Sequence, residues 1–240
     1  VEISEKIQQL NPDICLLVTP HGISLSHDYG FYINLIAEGT AEWENEYKEF
    51  KVKIDLDQEE TKKLCLFLEK HNLPISTISS FSTSESIPLR WGEVVPLWFL
   101  REINLKYMIM SIPTRRYDQA KDMIPELGSL GRHLSTYFSN LDKKVIILIS
   151  GDLAHTHSSE SPYGFSQKAE EFDILIENWI KTGKKELLVK TAAEILDQAL
   201  CCGFTGLIIL QGILQNIDFK SNLIIRINPT YYGMLLASFT

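Results

Sequence analysis

Two short apolar runs limit what this chain can fold into: Ile14-Cys15-Leu16-Leu17-Val18 and Val145-Ile146-Ile147-Leu148-Ile149. Neither alternates with polar residues, and the second is rich in β-branched side chains. Both therefore read as strands buried on both faces, as in the inner part of a layered α/β sheet. Each run ends abruptly, at Thr19-Pro20 and at Ser150-Gly151.

Other segments carry weaker periodicities. Phe50, Val52, Ile54 and Leu56 alternate with polar residues and predict a strand; Leu105 to Ile112 predicts another. Leu223–Ile227 and Met234–Phe239 read as closing strands, with Asn228-Pro229 between them. Ile3, Ile7 and Leu10 share a helical face. Asp57, with Glu60 three residues on, predicts a helix start, and Leu64, Phe67 and Leu68 line that helix until about Asn72. Arg116 to Asn140 reads as one long helix or a helix pair, because Pro125 and Gly128 interrupt it. A further helix runs from about Ser166 to Lys181, and helical segments continue to about Asn216. The serine-dense stretch from Ser76 to Ser86 is expected as a surface loop. Strands alternating with helices imply α/β architecture: a single domain over residues 1–240, with a central mostly parallel or mixed β-sheet flanked by helices on both faces.

Composition removes several function classes. A formal net charge of −8 without a Lys/Arg block offers no footprint for a nucleic-acid backbone or an anionic membrane. No apolar run reaches the roughly 18 residues of a membrane helix. The four cysteines, Cys15, Cys65, Cys201 and Cys202, form no CxxC pair, so a reducing cytoplasmic setting is expected. No signal peptide is visible. Gly-x-Ser-x-Gly, P-loop and Gly-x-Gly-x-x-Gly patterns do not occur.

In open α/β sheets, chemistry gathers beyond the carboxyl ends of strands. Here the first apolar run is followed by Thr19-Pro20-His21-Gly22 and the second by Ser150-Gly151-Asp152-Leu153-Ala154-His155, then His157 and Pro162-Tyr163-Gly164. A histidine held after proline can present an imidazole to a metal; its plainer alternative is a loop histidine bonded to backbone. Asp152 can anchor its turn while His155 faces a pocket; alternatively it caps a helix and His155 is incidental. Cys202 offers a thiolate for a borderline metal, or a small core side chain. Trp91 and Trp98 could line an aromatic pocket, although packing suits Trp98 better. His27, His71 and His133 are assigned to the surface, and Glu59, Glu60, Lys62 and Lys63 to a solvated helix face.

Taken in order, NPDICLLVTPHG, LRWGEVVPLWFL, SGDLAHTHSSESPYGF, ALCCGFTGLIILQG and NPTYYGMLLASF resemble the class III extradiol dioxygenase superfamily. That group includes the LigB-type protocatechuate dioxygenase subunit, the DOPA dioxygenases and the Memo proteins. The nearest likeness is to the LigB-like domain found with AMMECR-type and radical-SAM partners. The resemblance runs from about Glu5 to Phe239. It implies a non-haem Fe(II) site, or another divalent metal such as zinc, and a small catecholic or related aromatic substrate.

Carried over residue by residue, the resemblance makes His21 and Cys202 metal ligands, with a further histidine in a strand motif upstream of Val1. His155, beside Asp152, becomes the catalytic acid/base, and Trp91 and Tyr163 line the substrate pocket. The pattern departs from the family where a pocket histidine in an Asp-His-Gly triplet is replaced by Arg90-Trp91-Gly92, and where a ligand glutamate is replaced by Cys202, as in Memo. Tryptophan cannot carry a proton. Two readings follow: a divergent ring-cleaving oxidoreductase, or a non-catalytic binding or partner subunit that keeps the fold. Either is expected as a homodimer or as a heteromer with a related subunit.

Overall fold

The computed structural model describes residues 2–43, 46–215 and 217–240. The chain divides into two compact units: Val1–Asp118 with His133–Ser150, and Gln119–Arg132 with Gly151–Thr240. The fold class is mixed α/β with a central mixed sheet, as the strand and helix patterns imply.

The first unit holds both of the larger sheets. Its central sheet joins β1 (Ile14–Thr19), β2 (Tyr29–Tyr32), β5 (Ile75–Ile78), β7 (Lys106–Ser111) and β8 (Val145–Ile149) in the order β5-β2-β7-β1-β8. Strand β1 lies between β7 and β8, parallel to both, and all six of its residues are buried. That position explains the unbroken apolar run: a central strand has no wet face, and each buried large side chain stabilises by about 1.5–3 kcal/mol. The pairing of β2 with β7 is antiparallel, which makes the sheet mixed.

A second, three-stranded sheet orders β4 (Glu46–Asp55), β3 (Ile36–Trp43) and β6 (Ser86–Leu89) as β4-β3-β6. Helix α1 spans Glu2–Leu10. Helix α2 (Gln58–Glu69) begins where Asp57 Oδ1 accepts the Glu60 N–H at 3.0 Å. Helix α3 (Trp91–Trp98) packs against β1, β3 and β4. The apolar core of this unit includes Leu17, Tyr32, Ile54, Ile87, Leu97 and Ile109.

The second unit is mainly helical. It takes α4 (Arg116–Gln119) from its last residue onward, and α5 (Ile124–Ser139) as far as Arg132. Next come α6 (Lys168–Thr182), a π-helical run at Leu187–Ala192, α7 (Leu196–Ala199) and α8 (Phe204–Leu214). Phe172 and Trp179 on α6 and Phe204 on α8 are buried, and the indole Nε1 of Trp179 donates to Gln211 Oε1 at 2.6 Å. The predicted closing strands, β9 (Ser221–Ile227) and β10 (Met234–Phe239), pair with each other as a separate antiparallel ribbon.

Several expectations are corrected. The serine-dense stretch is not all loop: Ser76-Thr77-Ile78 lies in β5, paired with β2, and Ser86 opens β6. Strands β2 and β3 carry no clean period in the sequence, because glycine and polar residues interrupt both. Pro125 sits in the first turn of α5, where its missing N–H breaks no bond, so the interruption falls before it, between α4 and α5. Glu60 is not solvated: it is buried, accepts the Tyr137 hydroxyl at 2.5 Å and lies 3.3 Å from Lys143 Nζ. His133 is half-buried, its ring 4.3 Å from that of exposed His71.

Candidate active site

Each unit contributes one strand-end loop with chemistry-bearing residues. In the first, β1 runs out at Thr19, and the following loop is held by side chains from three directions. Arg116, buried, donates from Nη2 to the Pro20 carbonyl at 2.8 Å, immediately before His21. Thr19 Oγ1 accepts the His21 N–H at 3.2 Å, and the Tyr32 hydroxyl accepts the Ile23 N–H at 2.6 Å.

Helix α3 closes against this loop through its first turn. Gly92 lies so close that a Cβ there would meet His21 Cβ at 2.3 Å, so only glycine fits. Trp91 is half-exposed, with its ring 4.8 Å from the His21 ring at 33°. Glu93 is fully buried, and its Oε2 accepts the Arg90 N–H at 2.7 Å. Burial pushes its carboxyl above the usual range, opposed by the Tyr32 hydroxyl and the Arg90 N–H.

In the second unit, the segment following β8 passes through Gly151 into Asp152. The Cys201-Cys202-Gly203 turn meets it there, after Leu200 ends α7 in a left-handed conformation (φ 55°). A Cβ on Gly203 would meet the Asp152 carbonyl oxygen at 2.9 Å, which explains glycine at that position. The turn clasps Asp152 by its backbone. The Asp152 N–H donates to Cys202 Sγ at 3.1 Å, and the Asp152 carbonyl accepts the Gly203 N–H at 3.0 Å and the Cys201 thiol at 3.2 Å. An Asp152 carboxylate oxygen lies 4.0 Å from Cys202 Sγ. Burial pushes the Asp152 carboxyl up, opposed by His155, whose Nε2 is 3.8 Å away.

His155 is enclosed by rings from separate segments: Tyr163 at 5.9 Å, Tyr231 at 6.3 Å and Tyr232 at 6.0 Å. Among the described residues its buried Nδ1 has no hydrogen-bond partner, while its Nε2 lies beside Asp152. Asp152 is not a helix cap: among the described residues the first helix after β8 is α6, which begins at Lys168.

The structure thus brings Asp152, His155, Cys202 and Tyr163 together within the second unit, and His21 and Trp91 together within the first. Sequence reasoning missed Arg116, Glu93, Tyr231 and Tyr232. It also missed Asp173, a fully buried carboxylate on α6. One signal for Asp173 was present: Ala169, Phe172, Asp173 and Ile176 fall at i, i+3, i+4 and i+7 on the buried face, so an acid occupies a core position.

The model of the catalytic LigB subunit of aromatic ring-opening dioxygenase matches residues 1–233, and the chain belongs to that family. Protein CA_C1420 of Clostridium acetobutylicum is 25% identical over 232 residues, which are 92% of this chain and 47% of the relative. The chain therefore spans about half the length of that relative. Among solved structures, the uncharacterized protein JW3007 from Escherichia coli K12 shares the fold, with a TM-score of 0.61 and 14% identity over 98% of this chain and 90% of that one. Among the described residues, no helix is long and apolar enough to cross a membrane.

Proposed function

We propose that this protein is a divergent extradiol-type dioxygenase that opens the ring of a small catecholic or related aromatic compound at a divalent metal, Fe(II) in the first instance. Cys202 carries the proposal. Its sulfur accepts an amide N–H at 3.1 Å, and a carboxylate oxygen stands 4.0 Å from the same sulfur. A thiolate beside a carboxylate suits a borderline divalent cation, so these donors fit the group that the family implies.

The family pattern carried over to this chain assigns ligand roles to Cys202 and to His21. Bound there, Fe(II) would supply the redox chemistry that O₂ requires. The protein's own groups do the rest. The His155 imidazole accepts a proton from a substrate hydroxyl at Nε2, and the adjacent Asp152 carboxylate stabilises the resulting imidazolium. Tyr163, Tyr231 and Tyr232 wall the space around His155 with aromatic faces suited to a flat ring. The test is metal analysis of the longest native chain together with O₂ uptake on a panel of catechols. One divalent ion per chain and catechol-dependent uptake are expected; no ion and no uptake would end this reading.

Trp91 favours a second reading, a binding subunit without turnover. It stacks near His21 where the family places a proton-carrying histidine. The double variant Arg90→Asp with Trp91→His separates the two readings. Metal-dependent ring cleavage gained by the variant and absent from the native protein marks a decayed enzyme.

A further inference from the structure

We infer that Asp173, through His157 and the Ala154 amide, is the positioning residue that fixes the His155 imidazole; the inference rests on the acid/base reading of His155. Asp173 sits on α6, is fully buried, and reaches the chain on both sides of His155. Its Oδ1 accepts the Ala154 N–H at 3.0 Å, and its Oδ2 hydrogen-bonds His157 Nε2 at 2.8 Å. One carboxylate thus ties the residue before His155 and the residue two after it to a rigid helix.

The remaining bonds of the loop fit that tether. The Leu153 N–H donates to Gly233 O at 2.8 Å, and the Gly233 N–H returns to Ala154 O at 2.9 Å. His155 donates its own N–H to Ala199 O at 2.8 Å, and its carbonyl accepts the Ser161 hydroxyl at 2.7 Å. Gly233 is bare because a Cβ there would stand 2.0 Å from Asp173 Oδ2, so the segment holding Tyr231 and Tyr232 is shaped around this carboxylate. The far side of His157 is also occupied: its Nδ1 lies 3.3 Å from Asn228 Nδ2 and 4.0 Å from Glu170 Oε2. Glu170 is in turn held by Arg226 at 2.8 Å.

A buried acid at a core helix position is unfavourable unless its hydrogen bonds are met, and here both are directed at one loop. Packing alone does not call for that arrangement; holding an imidazole to within a fraction of an ångström does. When ionised, the Asp173 carboxylate also selects the tautomer of His157, because Oδ2 then only accepts and His157 carries its proton on Nε2.

Three variants test this: Asp173→Asn, His157→Phe and His157→Gln. Asn keeps an acceptor for the Ala154 N–H but turns an amide toward His157. Phe fills the space of His157 without donating. Gln restores an N–H donor. The expected result is kcat lowered by about 10–100-fold in Asp173→Asn and His157→Phe, with KM within about threefold, metal content unchanged, and His157→Gln returning most of the rate. A second readout does not need turnover: carbethoxylation of His155, mapped by mass spectrometry, should quicken several-fold in the first two variants while the rate at His21 stays constant. Native protein that shows no catechol-dependent O₂ uptake counts against the proposed function alone. Unchanged His155 modification in both Asp173→Asn and His157→Phe overturns the positioning role, as does failure of His157→Gln to differ from His157→Phe.

Discussion

The two strand-end loops solve the same problem by different means. The loop after β1 is held by a close approach as well as by side-chain hydrogen bonds: Gly92 admits His21 against the first turn of α3, and Arg116 fixes the Pro20 carbonyl. The loop after β8 is held by a buried side chain from an element later in the chain, Asp173, with Gly233 moulded around it. The first arrangement is intolerant of added volume, because the His21 Cβ, fixed to its own backbone, cannot move aside. The second is intolerant of lost hydrogen bonds, because a buried donor without an acceptor is expensive.

The largest effect should come from the hydrogen-bonded loop. Asp173→Ala leaves the Ala154 N–H and the His157 ring without their buried acceptor and should cost about 3 kcal/mol in urea denaturation. A cost under about 1 kcal/mol would mean that water or a neighbour replaces the carboxylate, and the contrast between the loops would fail. Gly92→Ala comes next. The added methyl meets His21 Cβ and should cost about 2 kcal/mol, with the His21 environment altered.

A pH effect sharpens the comparison. Burial raises the folded-state Glu93 carboxyl above its unfolded value, so the unfolded chain releases that proton first. Stability should therefore fall as pH rises from the ordinary carboxylate range through the raised value. Glu93→Gln, which keeps an acceptor for the Arg90 N–H, should remove this fall, so that its stability relative to native protein increases with pH. A difference that does not vary with pH would contradict the assignment.

The smallest effect is expected at Glu170, half-exposed beside Arg226, whose hydrogen bond holds the carboxyl below its usual range. That contribution is present above the usual carboxylate pKa and is lost as pH falls through the lowered one. Glu170→Gln should cost less than about 1 kcal/mol at neutral pH. A larger loss would show that the support behind His157 extends to the surface pair.

The same contrast explains what was legible in the sequence. β1 was readable because a strand buried on both faces must be apolar throughout, whereas β8, equally apolar, is the edge strand of its sheet and only half-buried along its length, so its run located the strand but overstated its burial. Thr19-Pro20-His21-Gly22 and Gly151–His155 could be singled out as candidates because strand ends are where function collects and their residues are contiguous. Asp173 was not, since its partners lie 16 and 19 residues away and only the fold brings them together. The tyrosines at 231 and 232 stood in a recognised motif, yet nothing local shows that Gly233, packed against Asp173, brings them beside His155. Glu60 was misplaced for a related reason: its neighbours in sequence are charged, while its partner, Tyr137, comes from another helix.

Cobalt(II) substitution tests the thiolate at residue 202 most directly. Metal-free protein loaded with one equivalent of Co(II) should show a near-ultraviolet sulfur-to-metal charge-transfer band that vanishes in Cys202→Ser while the overall fold persists. A band that survives that substitution, or native protein that binds no Co(II), would contradict the account.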